Sequence, residues 1–515
     1  MRTALLLALA AASVSVAEVP NHRLDLEAAI KADPTDASSM LRLGILLQSE
    51  GELDAGGEWV SAAYAADPSL VQDIVFPEPM ARGTVCPSAT GPDVIVGDLP
   101  DTARWAHSGP PQNGISAFGI GTTSCNIGDT ILRWQSGTIN HPVIAQNIYR
   151  VHDGRFTQVG VGWLKHGFLA LSGNVCCSCT GGGGSQLSPG CSDPYSSGLN
   201  ASQSGLGPRF EVNATTGIFN YPFTSPPYTS GSIDRRCQAA DADIDPARNP
   251  GARWFVEGHY IANDDAAAGN GLNNASYREV GFFESGDGYR AGNIGSTVRE
   301  QAAIKAWPVV NPSAVVVDVD VPDDGRFHVG HNVIDNGDGT WRYEYAIHNM
   351  NSDRSAQAFS VPVPAGVTLS DVGFHDVDYH SGEPFDGTDW TFNQSGGFAT
   401  WSTAPHSSAP NGNALRWGTA YSFWFTADAG PETGDASIRL FKPAPARGVA
   451  SVGVGVSAPV SGCPADLDGM GSVGSSDLAE LLAQWGGAGS ADLDGSGTVG
   501  SGDLAIMLAA WGDCE

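Results

Sequence analysis

The spacing of apolar residues changes several times along this chain, and each change marks a different kind of element. After Met1-Arg2-Thr3 the residues are apolar to about Ala12, with small Ser15 and Ala17 following. That run is too short to span a bilayer and reads as a secretory leader over residues 1–17. No later stretch approaches the ~20 consecutive apolar residues of a transmembrane helix. From Arg23 to about Gln72 the apolar positions recur at helical spacing, which predicts a helical hairpin over residues 19–75. From Phe76 to Pro443 the texture becomes short β-type runs, such as 92–97, 159–163 and 313–318, broken by Gly, Pro, Asn and Ser. This predicts a Cys-containing β-rich domain over residues 76–311 and a β-sandwich of immunoglobulin-like size over residues 312–442. In the second, Asn332–Ile334 and Trp341–Tyr345 flank Asp335–Thr340, a hairpin turn whose Asn and Gly residues tolerate positive φ. Residues 443–462 are rich in Pro, Gly, Ala, Val and Ser with a single charge, and read as a linker. The alternative is a last sandwich strand over the Val/Gly alternation at Val449–Val456.

Two segments then repeat at a spacing of 26 residues, Asp466–Asp477 and Asp492–Asp503. Both fit a twelve-residue calcium loop, in which oxygens at positions 1, 3, 5, 7 and 12 surround the ion and Gly at position 6 permits the turn. Gly471 and Gly497 fill position 6. The second loop offers Asp492, Asp494, Ser496, the Thr498 carbonyl and Asp503. The first offers Asp466, Asp468, the Ser472 carbonyl and Asp477, but places Met470 at position 5, where a thioether is a poor ligand, so its site is expected to be weaker. Each loop runs into a helical stripe, Leu478, Leu481, Leu482, Trp485 and Leu504, Met507, Leu508, Trp511, ended by Gly486 and Gly512. The stripes are expected to pack as core. The bland alternative, two Asp/Gly-rich turns that hold no ion, is disfavoured by duplication in register.

Duplicated loop–helix segments that close on Asp rather than Glu resemble a dockerin, of the subgroup that ends in Trp-Gly and a terminal Cys. The resemblance implies an α-helical, duplicated EF-hand-like module over residues 463–515 with Ca2+ as its cofactor. It further implies a cohesin-type partner met through Ser475, Ser476, Ser501 and Gly502, and a bridge joining Cys463 to Cys514. Gly474 and Gly500 stand at position 9, where the family more often has Asn. Near the N-terminus, Asp33-Pro34 recurs as Asp67-Pro68 after 34 residues, with Met40, Leu43-Gly44, Leu47, Gly51, Val60 and Ala63 between them. This resembles one tetratricopeptide-like hairpin, which buries its apolar face only by packing on the next domain or on a partner.

Composition narrows the function. Asp and Glu outnumber Lys and Arg by 56 to 26, a formal charge of −30, which repels nucleic acid and suits calcium. Nine cysteines behind a leader favour disulfides. The sequence leaves the connectivity of Cys86, Cys125, Cys176, Cys177, Cys179, Cys191 and Cys237 open, and the odd count leaves one thiol over, one intermolecular bridge or a metal cluster. A zinc or copper site formed by His166 and the neighbouring cysteines is the lesser alternative. Carboxylates cluster at Asp241/Asp243/Asp245, Glu257 with His259, Asp264-Asp265, and Asp376/Asp378 beside His375 and His380. None forms a recognisable catalytic motif, and no nucleophile elbow or zinc-binding His-Glu-x-x-His helix occurs.

The stretch 91–283 resembles uncharacterised exported bacterial proteins that carry the same kind of dockerin. The expectation is therefore a secreted, mainly β, multidomain protein, extracellular or attached at the cell surface. Its dockerin-like module anchors β domains that bind an extracellular polymer or protein. A dockerin-tethered hydrolase of polysaccharide catabolism is the alternative, with Trp105, Trp134, Trp163 and Trp254 as candidate sugar-stacking surfaces.

Overall fold

The computed structural model describes residues 23–37, 39–40, 43, 47, 59, 62–63, 86–108, 114–224, 231–364, 366–378, 382–444, 448–460, 464–494 and 496–513. The expected leader at 1–17, His380 and the expected pairing of Cys463 with Cys514 lie outside them. Among the described residues no helix is long and apolar enough to cross a membrane.

The chain is mainly β. Its first large unit is an antiparallel sheet running, in spatial order, Gly288–Val298, Ala275–Ser285, Arg253–Ile261, Val143–His152, Arg155–Val161, Cys237–Ala240, Ile115–Ile120 and Thr102–Ser108. The sheet curls until its outer strands meet through side chains. Arg104 pairs with Asp287 at 3.1 Å, and a Cβ on Gly288 would lie 2.5 Å from the His107 ring. Inside the curl lie Phe118, Ile148, Trp254, Val256 and Phe282. A three-stranded sheet of Val94–Asp98, Thr122–Asn126 and Ser192–Tyr195 packs on it. The bridges Cys86–Cys177, Cys125–Cys176 and Cys179–Cys191 fasten the loops around that smaller sheet.

The second unit is a sandwich-like pair of five-stranded sheets. One runs Val315–Asp320, Arg326–Asp335, Trp341–Asn349, Thr419–Ala427, Leu369–His375; the other runs Thr391–Ser395, Phe398–Ser402, Ala356–Pro362, Pro431–Leu440, Ser451–Pro459. Alternate residues of both sheets interdigitate in an aromatic core that includes Tyr345, Phe359, Trp401, Phe423 and Phe425. The expected hairpin forms, with Gly337 and Gly339 at φ 74° and 87° and Asp335 Oδ1 accepting the Gly337 N–H at 2.7 Å.

The linker over 443–462 is corrected. Ser451–Pro459 is the last strand of the sandwich, and Val454 and Val456 are buried in its core. A period of two in Val and Gly with no charge satisfies a half-buried strand as readily as a linker, and the apolar core beneath decides the outcome.

The two units are joined by the hairpin between Val143–His152 and Arg155–Val161. Its two-residue turn places Asp153 at φ 49° and Gly154 at φ 75°, the type I′ geometry that suits strand twist. A Cβ at Gly154 would lie 2.4 Å from Ile334 Cδ1, so only glycine lets the tip seat on the sandwich. The Gly154 carbonyl accepts from Trp307 Nε1 at 3.1 Å and Asn332 Nδ2 at 2.9 Å. Beside it, buried Glu344 receives a two-pronged bond from Arg155 at 2.6 and 2.9 Å.

At the N-terminal end, Leu26 and Ile30 of the helix Arg23–Ala32 cluster with Met40, Leu43, Leu47, Ala63 and Phe283. Phe283 belongs to the large sheet, so the helical segment covers its apolar face with the next unit.

Candidate metal centre

The two C-terminal repeats fold alike. Each loop leads into a nine-residue helix, Ser475–Ala483 or Ser501–Ala509. The loops are tied together reciprocally. Ser472–Val473 pairs with Gly512–Asp513 beyond the second helix, while Val499 exchanges backbone bonds with Gly486 and Gly487 beyond the first. Both helix-ending glycines hold positive φ.

Within each loop the carboxylates converge. Asp466, Asp468 and Asp477 each offer an oxygen within 4.8 Å of the others, and so do Asp492, Asp494 and Asp503. Backbone bonds repeat in register and hold them there. Asp466 Oδ2 accepts the Gly471 N–H at 2.7 Å and Asp492 Oδ2 accepts the Gly497 N–H at 2.7 Å, which wraps each loop around its first carboxylate. Gly471 and Gly497 adopt φ 79° and 87°, the left-handed turn for which position 6 requires glycine. Burial raises the Asp466 carboxyl above the ordinary range, against bonds from the Gly471 and Met470 amides that lower it.

The loops differ where the sequence differs. Met470 is 74% exposed and turns its thioether to solvent, leaving no side-chain oxygen at that position. Ser496 in the second loop has a hydroxyl there, which donates to the Thr498 carbonyl at 3.2 Å. Ser475, Ser476, Ser501 and Gly502 occupy the exposed first turns of the helices. A Cβ on Gly502 would fall 2.1 Å from Asp494 Oδ2, so the second loop packs more closely on its helix than side chains would allow.

The stripes do not pack wholly as core. Leu481 and Met507 are fully buried with Val473 and Val499, but Leu482, Trp485, Leu508 and Trp511 are 53%, 47%, 54% and 48% exposed. Helices this short, with a core of six buried residues, cover one flank of each stripe and leave the other in water.

The remaining candidates resolve into structural roles. Six cysteines form the three bridges, and Cys237, a possible bridge partner by sequence, is a buried free thiol that burial pushes up to about 12. The zinc or copper alternative at His166 is corrected. Its cysteine neighbours are oxidised, and His166 Nδ1 meets His141 Nε2 at 2.8 Å with ring centroids 5.1 Å apart. The two nitrogens thus lie on the line between the rings, an end-on N–H···N bond with no room for an ion between them. Burial pushes His141 down to about 4 and His166 to about 3, so both are neutral. Trp134, Trp163 and Trp254 are buried, which removes them as sugar platforms; Trp105 is 47% exposed.

Each carboxylate group also has a partner. Asp241 stands between His107 Nε2 at 2.8 Å and Ser116 Oγ at 2.7 Å, so the acid separates hydroxyl from imidazole, and the serine gains no base of the kind a nucleophilic triad supplies. Asp243 pairs with Arg150 and Asp264 with Arg133. Asp265 accepts the Val94 N–H at 2.9 Å, Asp376 bonds to Asn413, and His375 donates to the Gln158 carbonyl.

Sequence reasoning missed a buried polar cluster between the two units. Glu257 is fully buried, accepts from Asn147 at 2.9 Å and Tyr149 at 3.1 Å, and lies 3.8 Å from His348 Nε2. His348 stacks on His328, and His259 has no hydrogen-bond partner at either ring nitrogen. Burial holds His259 down to about 4 and His348 well below the usual imidazole range. The only signal in sequence was Glu257 with His259, two apart on one strand face; their partners lie on strands far along the chain.

No family model matches this chain, and no curated protein matches it. Among solved structures, the N-terminal domain of the Streptococcus gordonii adhesin Sgo0707 aligns over 73% of this chain and 98% of its own, with 9% identity and a TM-score of 0.16.

Proposed function

We propose that the C-terminal repeats form a calcium-loaded docking module that fastens the two β units to a cohesin-type partner outside the cell. The observation that carries this reading is the gathering of the same three carboxylates in each of two loops, 26 residues apart, on identical backbone scaffolds. The donors fit a hard cation, being oxygens throughout. Asp466, Asp468, Asp477 and the Ser472 carbonyl would hold one ion; Asp492, Asp494, Asp503, the Ser496 hydroxyl and the Thr498 carbonyl would hold the other. Bound calcium would offset two of the three negative charges clustered in each loop and fix the first turns that present Ser475, Ser476, Ser501 and Gly502. A core this small gains from such a clamp. The flanking Leu482, Trp485, Leu508 and Trp511 extend the surface those turns begin.

The three bridges suit a protein that matures in an oxidising compartment, which supports export. The β units then serve as the cargo, binding an extracellular polymer or protein. Retention of the full-length protein on an immobilised panel of cohesins, in calcium and then in EGTA, tests the reading. Calcium-dependent retention that Asp477→Ala with Asp503→Ala abolishes is expected, and retention indifferent to both treatments would sink it.

A further inference from the structure

Four strands of the sandwich, Val315–Asp320, Leu369–His375, Thr391–Ser395 and Ser451–Pro459, each have an outer edge that no described strand covers, and the first and last of them flank one groove. Val315–Asp320 pairs only with Arg326–Asp335, and Ser451–Pro459 only with Pro431–Leu440. The direction of their free backbone groups follows from the bonds at the strand ends. Leu440 N–H donates to the Ala450 carbonyl and Val460 N–H to the Gly430 carbonyl, each at 3.0 Å, so even-numbered residues bond to the neighbouring strand and odd-numbered ones face outward. Ser457 confirms the parity. Its N–H meets His331 Nδ1 at 3.2 Å and its carbonyl accepts from the Tyr345 hydroxyl at 2.7 Å, which closes that end of the sandwich.

Two and four residues earlier the sandwich gapes. Gly455 and Gly453 aim their N–H and C=O groups the same way, with no side chain over them, beside a groove of about 490 Å³. Val319 and Val454 line its depth, and Asp318 and Asp320 its far rim. The edge lacks the usual guards: its pairing runs without a bulge, it carries no charge, and its one Pro comes last. Lys305 and Arg326 pair with the rim acids, but no cation lines the groove.

We propose that this edge docks an extended segment of a partner protein, which adds as a strand along Gly453 and Gly455. Alternate apolar side chains of that segment fill the groove against Val319 and Val454, and its Lys or Arg residues face Asp318 and Asp320. Charge selects the occupant. A second copy would bring another −30 chain to the rim, whereas a basic segment is drawn in. The site is independent of the calcium loops.

The test uses the full-length protein and a fluorescent nonapeptide of alternating Lys and Val, with a control peptide carrying Pro at its centre, read by anisotropy at physiological ionic strength. Pro at an edge position whose N–H faces out leaves the sheet's own bonds intact. Gly453→Pro with Gly455→Pro is therefore expected to keep the melting temperature and weaken peptide binding at least tenfold, and the control peptide is expected to bind no better than that variant. Gly455→Lys, which keeps every backbone donor but adds like charge, is expected to weaken binding as well. Equal binding by wild type and variants, no binding by wild type, or wild-type self-association that these substitutions abolish would each overturn the proposal.

Discussion

Asp477 and Asp503 are one residue written twice. Asp477 Oδ1 accepts the Asp468 N–H and Asp503 Oδ1 accepts the Asp494 N–H, both at 3.0 Å, and their second oxygens take the N–H of Gly474 at 2.8 Å and of Gly500 at 2.6 Å. Each carboxylate thus closes its loop and caps its helix at once. Asp477→Ala and Asp503→Ala should each remove about 1–2 kcal/mol even without calcium, through the lost cap. Far-ultraviolet dichroism of each variant against temperature in EGTA checks this, and wild-type melting in both would refute it.

The junction between the β units should be brittle. Arg155→Met leaves Glu344 buried with only Arg342 beside it, at 3.2 Å, and is expected to cost about 3 kcal/mol. Gly154→Ala should cost about 1–3 kcal/mol, since it combines a positive φ with a clash against Ile334. Urea denaturation of both variants reads the loss; a change below 0.5 kcal/mol in either would mean that the hairpin tip does not hold the units together.

Acid should loosen the same junction. His259 is neutral in the fold with its pKa pushed down to about 4, against about 6.5 unfolded, so the unfolded chain takes up the proton first. Its contribution is therefore intact above pH 6.5 and is lost progressively as pH falls towards about 4. Asp193 and Asp265, raised by burial to about 7, bias stability the other way, so the comparison must be with a variant. Because neither His259 nitrogen is bonded, His259→Phe should keep the neutral-pH melting temperature and flatten the acid decline. An unchanged slope would count against the assignment.

Thiol counting tests whether Cys463 and Cys514, which lie outside the described residues, are joined. Of nine cysteines, six are in the three bridges and Cys237 is buried and inert. The native protein should show no fast-reacting thiol. Unfolded without reductant, it should show one if Cys463 and Cys514 are joined and three if they are not.

Much of this architecture was legible in the sequence because it rests on local signals. The Gly and Asn turn at Asp335–Thr340, the two in-register acidic loops and the alternation of Trp341–Tyr345 each depend on residues a few positions apart. The failures share the opposite property. Val452, Val454 and Val456 read as linker because the core that buries them comes from distant strands. Trp485 and Trp511 read as core because helical spacing gives the stripe without giving what covers it. The Glu257–His348 contact joins residues from two units, and His141 reaches His166 only through strand pairing, so neither leaves a mark in local spacing.

Calcium titration of the oxidised full-length protein by calorimetry, with Asp492→Ala and Asp466→Ala alongside, tests the central claim most directly. Two sites are expected, the tighter one lost in Asp492→Ala and the weaker, which lacks an oxygen at Met470, lost in Asp466→Ala. Absence of calcium binding by the wild-type protein would contradict the account and leave the C-terminal repeats an acidic helical tail without an ion.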